Sequence, residues 1–92
     1  MPRPCKQRRV RGRPNSSYFK PAGIRITELE ETLLRADEFE AIRLKDSLSL
    51  DQNNCAEKME VSQPTFHRLL NSARRKIADA IVNGKAIKIG EN

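Results

Sequence analysis

Residues 63–68 carry a group of side chains suited to recognising nucleic-acid bases. The group consists of Gln63, Thr65, His67 and Arg68. A Gln amide can pair with adenine, an Arg guanidinium can donate two hydrogen bonds to guanine, and a Thr methyl can contact a thymine methyl. We therefore predict that these four residues contact base edges of double-stranded DNA. For His67, an ordinary exposed position is an equally good interpretation.

Further polar and cationic side chains surround this group and are suited to binding phosphate. The predicted phosphate contacts are Ser62, Asn71, Arg74, Arg75 and Lys76. Such contacts position a protein on DNA without reading its sequence. The alternative for the run 74–76 is a solvated helix surface, because charge runs are common there.

A helix-turn-helix within residues 50–83 is the element that would place these side chains in the major groove. The motif needs a small residue in its first helix, a tight turn, an apolar residue after the turn and two apolar residues in its second helix. These requirements fall in order on Ala56, Glu60, Val61, Phe66 and Leu69. The turn favours a positive φ, which costs Glu60 about 1 kcal/mol. Pro64 lies in the first helical turn, where no amide donor is needed.

Three helices are predicted from apolar spacing and capping residues. They span about 37–46, 50–59 with Ser49 as the cap, and the segment from the Ser62 cap to a stop at Gly84. The inward face of the second helix is predicted at Leu50, Cys55 or Ala56, and Met59, and that of the long helix at Phe66, Leu69, Leu70, Ala73, Ile77, Ala80 and Ile81. A capping-box spacing from Thr27 to Glu30 predicts a further short helix or turn that ends near Arg35.

Alternating apolar residues predict a short strand at 86–89, and the segment 24–26 is its expected partner. The predicted fold is therefore mainly α, with a long third helix and this one β pairing. We divide the chain into an arm at 1–17 and a single domain at 18–92. The arm is rich in Arg, Pro, Ser and Asn, and such a segment cannot offset its ordering entropy alone, so we expect it to be flexible.

The arm contains Arg8, Arg9, Arg11 and Arg13, which we predict to contact DNA. Its Arg-Gly-Arg-Pro stretch at 11–14 resembles the centre of an AT-hook, a minor-groove peptide. Arg11 and Arg13 are accordingly predicted to enter the minor groove beside the site that the third helix reads. A basic tail without groove specificity is the alternative.

Charge is segregated along the chain in a way that suits a polyanionic partner. Residues 1–27 hold eight Lys/Arg and no acid, residues 28–60 hold four basic and ten acidic side chains, and residues 61–92 hold six basic and two acidic ones. Positive potential is thus concentrated at the two ends of the chain. The formal net charge is +6.

Composition argues against an enzyme. A chain of 92 residues with 37% hydrophobic residues and no Trp buries only a modest core. Cys5 and Cys55 are far apart in sequence and His67 is the single histidine, so no local metal-binding pattern exists. We expect no enzymatic activity, no metal and no cofactor. We also expect a cytoplasmic location, because no apolar run approaches the roughly 20 residues of a membrane span.

The chain resembles a family of small, predicted DNA-binding proteins of bacteria and archaea without an established role. The matching stretches are "PRP", "RRV", "YFKPAGI", "ELEE", "DEFEAIRLKD" and "AEKMEVSQPTFHRLLNSARRKIADAIVNGKAIKI". The resemblance implies a helix-turn-helix similar to region 4 of RNA-polymerase sigma factors. Glu60 departs from the usual Gly of that family, and Pro64 is also unusual there, which puts the fine geometry of the turn in question.

These observations favour sequence-specific binding of double-stranded DNA and a role as a transcriptional regulator. The alternative is a protein-interaction module that binds RNA polymerase through the same fold. A homodimer is a further candidate state, because one small helix-turn-helix reads few base pairs. An RNA-binding protein is disfavoured by the lack of an aromatic stacking array.

Overall fold

A computed structural model describes residues 9–90 of the chain. Three helices and three short strands alternate with tight turns. The strands are β1 (Tyr18–Phe19), β2 (Glu31–Arg35) and β3 (Ala86–Gly90). The helices are α1 (Ala36–Ile42), α2 (Gln52–Met59) and α3 (Gln63–Asn83). A 3-10 turn spans Ile26–Glu28, and a π-helical turn at Arg43–Ser47 continues α1. The mainly α fold with a long third helix is confirmed.

The small sheet has β3 in its centre, antiparallel to β1 and parallel to β2. A strand at 86–89 is confirmed, but its predicted pairing with 24–26 is wrong. The partners are Tyr18–Phe19 on one side and Glu31–Arg35 on the other. Ile24 and Ile26 are 39% and 52% exposed, so their apolar alternation does not reflect burial in the sheet.

The short helix or turn predicted from the Thr27–Glu30 spacing is limited to the 3-10 turn at Ile26–Glu28, and strand β2 occupies the rest of the segment to Arg35. Burial alternates along it, with Thr32 and Leu34 facing inward and their neighbours exposed. That alternation has the two-residue period of a strand. The parallel ladder with β3 runs along the whole length of β2, from Glu31 to Arg35. A long-range pairing has therefore overridden a local helix-start signal.

The main core lies where the three helices meet. Its buried members are Ala41, Leu44, Cys55, Ala56, Met59, Phe66 and Leu70. Leu50, Val61 and Leu69 pack against this cluster and are partly buried. The predicted inward faces of α2 and of the first half of α3 are thus confirmed. Burial raises the pKa of the Cys55 thiol, as expected of a small apolar core residue. Cys5 lies outside the described residues.

The second half of α3 departs from the predicted apolar stripe at one position. Ile81 was expected inside, but it is 73% exposed, whereas Ala80 is 3% exposed. The buried residues of α3, from Phe66 to Ala80, are separated by four, three and then seven positions. A helix has 3.6 residues per turn, so a stripe extended by steps of four drifts off the buried face. No helix among the described residues is long and apolar enough to cross a membrane.

The helix ends follow local capping rules, with one correction. Ser62 caps α3 by accepting a hydrogen bond from the Thr65 amide, and Gly84 ends this helix in a left-handed conformation with φ 67°, both as predicted. The cap of α2 is Asp51 and not Ser49. The Asp51 carboxylate accepts from the Asn54 amide at 2.8 Å. Ser49 itself has φ 60° in the turn before the helix.

Candidate nucleic-acid interface

The turn between α2 and α3 is short and contains a left-handed residue. Glu60 adopts φ 59° and ψ 45°, in the left-handed region where Glu is rare. Its amide donates to the carbonyl of Glu57 at 3.1 Å, and the Val61 amide donates to the carbonyl of Ala56 at 3.1 Å. The predicted positive φ at Glu60 is confirmed. Only Glu60 and Val61 therefore separate the end of α2 at Met59 from the Ser62 cap of α3.

Apolar contacts hold the two helices in a fixed relation. Ala56 is 4% exposed, and Met59 and Phe66 are fully buried. A small residue at 56 permits close approach of α3, and Phe66 fills the space between the helices. The start of α3 is therefore attached rigidly to the core through a short turn.

The predicted base-reading residues lie on the outer surface of the first two turns of α3. Gln63, His67 and Arg68 are exposed, and Thr65 is half-buried. The Thr65 hydroxyl accepts from the Ser62 hydroxyl at 3.0 Å and from the Arg68 guanidinium at 3.3 Å. Gln63, His67 and Arg68 thus share an accessible face, with Arg68 oriented by a neighbour. Ser62 and Thr65 have their hydroxyls engaged in the helix start.

The predicted phosphate contacts divide into two groups. Asn71 and Arg75 are exposed along the same helix. Arg74 forms two hydrogen bonds to the Asp46 carboxylate, at 2.6 and 3.1 Å. This pairing raises the pKa of Arg74 and lowers that of Asp46.

Lys76 faces inward and is engaged within the domain. Its ammonium group donates to the Glu38 carboxylate and to the Leu33 carbonyl, both at 2.8 Å. The Ser72 hydroxyl also donates to Glu38, at 2.5 Å. A phosphate contact from Lys76 would therefore require breaking contacts between α1, β2 and α3.

Part of the predicted arm lies against the domain. The Arg9 amide donates to the Met59 carbonyl at 3.1 Å, and the Arg9 guanidinium lies 3.1 Å from the Glu60 carboxylate. The arm thus passes the turn that precedes α3. The side chains of Arg11 and Arg13 are exposed. Arg8 lies outside the described residues, and so does the rest of 1–8, so the flexibility predicted for the arm stays a prediction there.

Two buried carboxylates were missed as partners of the predicted site. Glu38 and Glu40 are 3% and 1% exposed, although acids are seldom buried. Glu40 accepts two hydrogen bonds from the Arg43 guanidinium, at 2.8 and 2.9 Å. One feature of the sequence points to burial of these acids. Both are adjacent to Phe39, the apolar residue through which the segment must pack. Helical spacing does not show which cations would reach them.

An apolar groove lies between α1 and the second half of α3. Its volume is about 630 Å³, and its lining includes Phe39, Ile42, Ile77 and Ile81. The Arg74–Asp46 pair lies at its edge. The exposed Ile81 side chain continues this apolar surface toward β1, where it also lines a second concavity with Phe19 and Ile87.

Comparisons with known proteins place the chain among closely similar sequences. A family model described as "Protein of unknown function DUF134" matches residues 1–91. A UPF0251 protein of Caldanaerobacter subterraneus subsp. tengcongensis is 60% identical over 89 residues, which cover 97% of this chain and 75% of that protein. A UPF0251 protein of Thermoanaerobacter pseudethanolicus is 57% identical over the same shares of the two chains. A UPF0251 protein of Moorella thermoacetica is 58% identical, over 97% of this chain and 60% of that protein. No solved structure matches the chain.

Proposed function

The chain belongs to the DUF134 family, and we propose that it binds double-stranded DNA in a sequence-specific manner and acts in the cytoplasm as a transcriptional regulator. The observation that carries this proposal is the left-handed turn at Glu60, which joins two helices packed through Ala56 and Phe66. A helix that follows such a turn presents its N-terminal residues to the major groove in helix-turn-helix proteins.

The accessible side chains at the start of α3 have the chemistry that base recognition requires. Gln63 and Arg68 supply groups that pair with adenine and guanine, respectively. Both are exposed. Exposed Asn71 and Arg75 continue along the helix and suit the phosphates beside the groove.

The internal contacts of two predicted phosphate ligands refine this proposal. Lys76 is held by Glu38, and Arg74 by Asp46. Arg75 therefore remains the strongest candidate for a helix contact with phosphate, since it is exposed on α3 beside the base-reading face. Asn71 adds a neutral hydrogen-bonding group one turn earlier.

Selection from a random duplex pool, followed by substitution of two arginines, tests the proposal. Arg68→Ala should reduce discrimination at one base position by about 1–3 kcal/mol. Arg75→Ala should weaken selected and unrelated duplexes alike, and should lower the salt slope of binding by about 1. Arg25→Ala is the matched control, because its side chain is 83% exposed in the loop after β1. The proposal fails if no duplex is enriched, or if both α3 variants bind as the wild type does.

The apolar groove favours a second candidate function, binding of a protein such as RNA polymerase. Exposed apolar patches of this kind often mark protein contacts. Ile81 is the most exposed large apolar residue that lines the groove, at 73%. If this function holds, Ile81→Ser should abolish retention of purified, nuclease-treated polymerase on the immobilised protein. Retention unchanged by Ile81→Ser, or no retention by the wild type, would count against it.

A further inference from the structure

Exposure alternates with every residue along the segment 9–14. Arg9, Arg11 and Arg13 are exposed, while Val10, Gly12 and Pro14 are half-buried. Such alternation is typical of an extended chain, in which successive side chains point to opposite sides, so Arg11 and Arg13 face away from the domain. Alternate residues of such a chain are about 6.6 Å apart, which makes the arginines an evenly spaced row.

The buried carboxylate of Glu40 attaches this segment to α1. Its Oε2 accepts from the Arg11 amide at 3.2 Å, and its Oε1 accepts from the Gly12 amide at 3.1 Å. The Arg43 guanidinium adds a second hydrogen bond to each oxygen. An ionised carboxylate has about four acceptor sites, and these contacts account for all of them.

The chemistry of Glu40 makes this attachment costly to release. A buried charge needs full hydrogen bonding, because an unsatisfied one carries a large desolvation penalty. Burial alone would raise the pKa of Glu40, but the hydrogen bonds from Arg43, Arg11 and Gly12 hold it below its usual value. Withdrawal of the segment would leave half of these acceptor sites without their protein donors.

Gly12 lies in close contact with the Arg43 side chain, at the start of the π-helical turn that continues α1. A Cβ atom at residue 12 would overlap the Nε and Cδ atoms of Arg43. The absence of a side chain therefore allows the Gly12 backbone to lie against the guanidinium that also binds Glu40. This is a packing reason for Gly within Arg-Gly-Arg-Pro, and it is independent of any minor-groove role.

The other end of the segment is attached beside the start of α3. Arg9 binds the Met59 carbonyl through its amide and Glu60 through its side chain. The row of arginines thus begins at the turn that leads into the base-reading helix. We propose that Glu40 and Gly12 fix residues 9–14 as a cationic strap that presents Arg11 and Arg13 to DNA phosphates beside α3.

This inference rests on the proposed DNA-binding function. In place of a flexible arm that enters the minor groove, residues 9–14 form a fixed segment that contacts phosphates. A segment attached at Arg9, Arg11 and Gly12 lies flat on the domain. Its arginines are therefore suited to a neighbouring phosphate strand more than to insertion into a groove. Arg9 is partly neutralised by Glu60, which leaves Arg11 and Arg13 as the contacting pair.

Gly12→Ala in the full chain is the main test, because it adds one methyl group without changing the net charge. Ser16→Ala is the matched control, at an exposed position in the same N-terminal region. Amide hydrogen exchange in the absence of DNA should be faster at positions 11 and 12 in Gly12→Ala and unchanged in Ser16→Ala. Glu40→Gln should produce the same acceleration. Unchanged exchange in both variants would overturn the strap.

Binding to a duplex selected by the wild type tests the contact with DNA. If loss of the strap leaves the arm correctly placed in about a tenth of molecules, Gly12→Ala should weaken binding about tenfold. Replacing both Arg11 and Arg13 by Ala should lower the salt slope of DNA binding by about two when residue 12 is Gly. The same double replacement should lower it by less in the Gly12→Ala background.

The outcomes separate the strap from the proposed function. A wild type that selects no duplex overturns both DNA binding and the phosphate role of the strap. A wild type that binds normally, with affinity and slope unchanged by Gly12→Ala, overturns the strap alone. If replacing Arg11 and Arg13 removes a preference for A·T pairs beside the site, minor-groove insertion is correct and the phosphate contact is wrong.

Discussion

Two ion pairs connect α3 to the helical segment at 36–47, and they lie in different surroundings. At the inner pair, the Lys76 ammonium group is 2.8 Å from the Glu38 carboxylate, which is 4% exposed. At the outer pair, the Arg74 guanidinium is 2.6 Å from the Asp46 carboxylate, and both side chains are more than 40% exposed. The cations are two residues apart, which places them about 200° apart around the helix. Their position on the helix, and not their residue type, decides which of them is part of the core.

The inner pair also joins more elements than the outer pair does. Glu38 accepts hydrogen bonds from Lys76 and Ser72 of α3 and from the Arg35 amide at the end of β2. Lys76 adds a contact to the Leu33 carbonyl of β2. This polar cluster therefore connects the sheet to α1 and α3, whereas the outer pair connects two side chains at the surface.

Removal of Glu38 should have the largest effect on stability. Glu38→Ala leaves Lys76, Ser72 and the Arg35 amide without their carboxylate. Breaking a fully buried pair costs roughly 3–5 kcal/mol, and partial access of water to Lys76 should reduce this to about 2–3 kcal/mol. Urea denaturation measures the free energy of unfolding. A loss below about 1 kcal/mol would place the inner pair in the same class as a surface pair.

Acid should produce the next largest effect. Burial alone would raise the pKa of Glu38, but hydrogen bonds from Lys76, Ser72 and the Arg35 amide lower it from its ordinary value of 4.5. A carboxyl whose pKa is lower in the folded state stabilises the protein above its unfolded-state pKa. That stability is lost as the pH falls from about 4.5 through the folded-state pKa.

The pH dependence can be assigned by comparing the wild type with Glu38→Gln. The variant cannot take up a proton at residue 38, so its unfolding free energy should decrease less steeply as the pH falls from about 5 to about 2. Urea denaturation at several pH values measures both slopes. Identical slopes would show that Glu38 does not contribute to acid sensitivity.

Removal of Asp46 should have the smallest effect. The pair that it forms with Arg74 is accessible to water, and exposed pairs contribute about 0–1 kcal/mol. Asp46→Ala should therefore change the urea midpoint little, and added salt should reduce even that change. The same substitution frees Arg74, so affinity for DNA should rise slightly if Arg74 then reaches a phosphate. A destabilisation as large as that of Glu38→Ala would remove the distinction between the two pairs.

Features determined by neighbours in sequence were predicted well. The Ser62 cap, the Gly84 stop and the left-handed turn at Glu60 depend on a few adjacent residues. Ala56 was placed in the core because the predicted motif needs a small residue there, and Phe66 because the apolar residues of the long helix recur with a helical period. Membership of a small family without an assigned function is also confirmed by the family match, whereas DNA binding stays a prediction.

Features determined by distant parts of the chain were missed or misplaced. The segment 31–35 has a nearby helix-start signal, yet it pairs with β3 more than fifty residues later. Ile81 continues an apolar spacing, yet it is 73% exposed among the described residues, because burial depends on what the rest of the fold packs against α3. The arm has the composition of an independent segment, yet Glu40 and Met59 bind its backbone. Amino-acid composition describes side chains only, whereas Glu40 and Met59 bind the arm through its backbone amides, so composition could not reveal these contacts.

The sequence alone determined the three helices, the turn between α2 and α3 and the group of residues that faces outward at the start of α3. These follow from capping, backbone sterics and helical period, which act over a few residues. The tertiary structure decided which charges are available to a partner. Glu38 and Glu40 are buried where α1 packs against α3 and the strap, and a buried carboxylate requires donors from whichever elements surround it. Lys76, Arg43 and the backbone at 11–12 supply those donors, because the fold brings them within hydrogen-bonding distance.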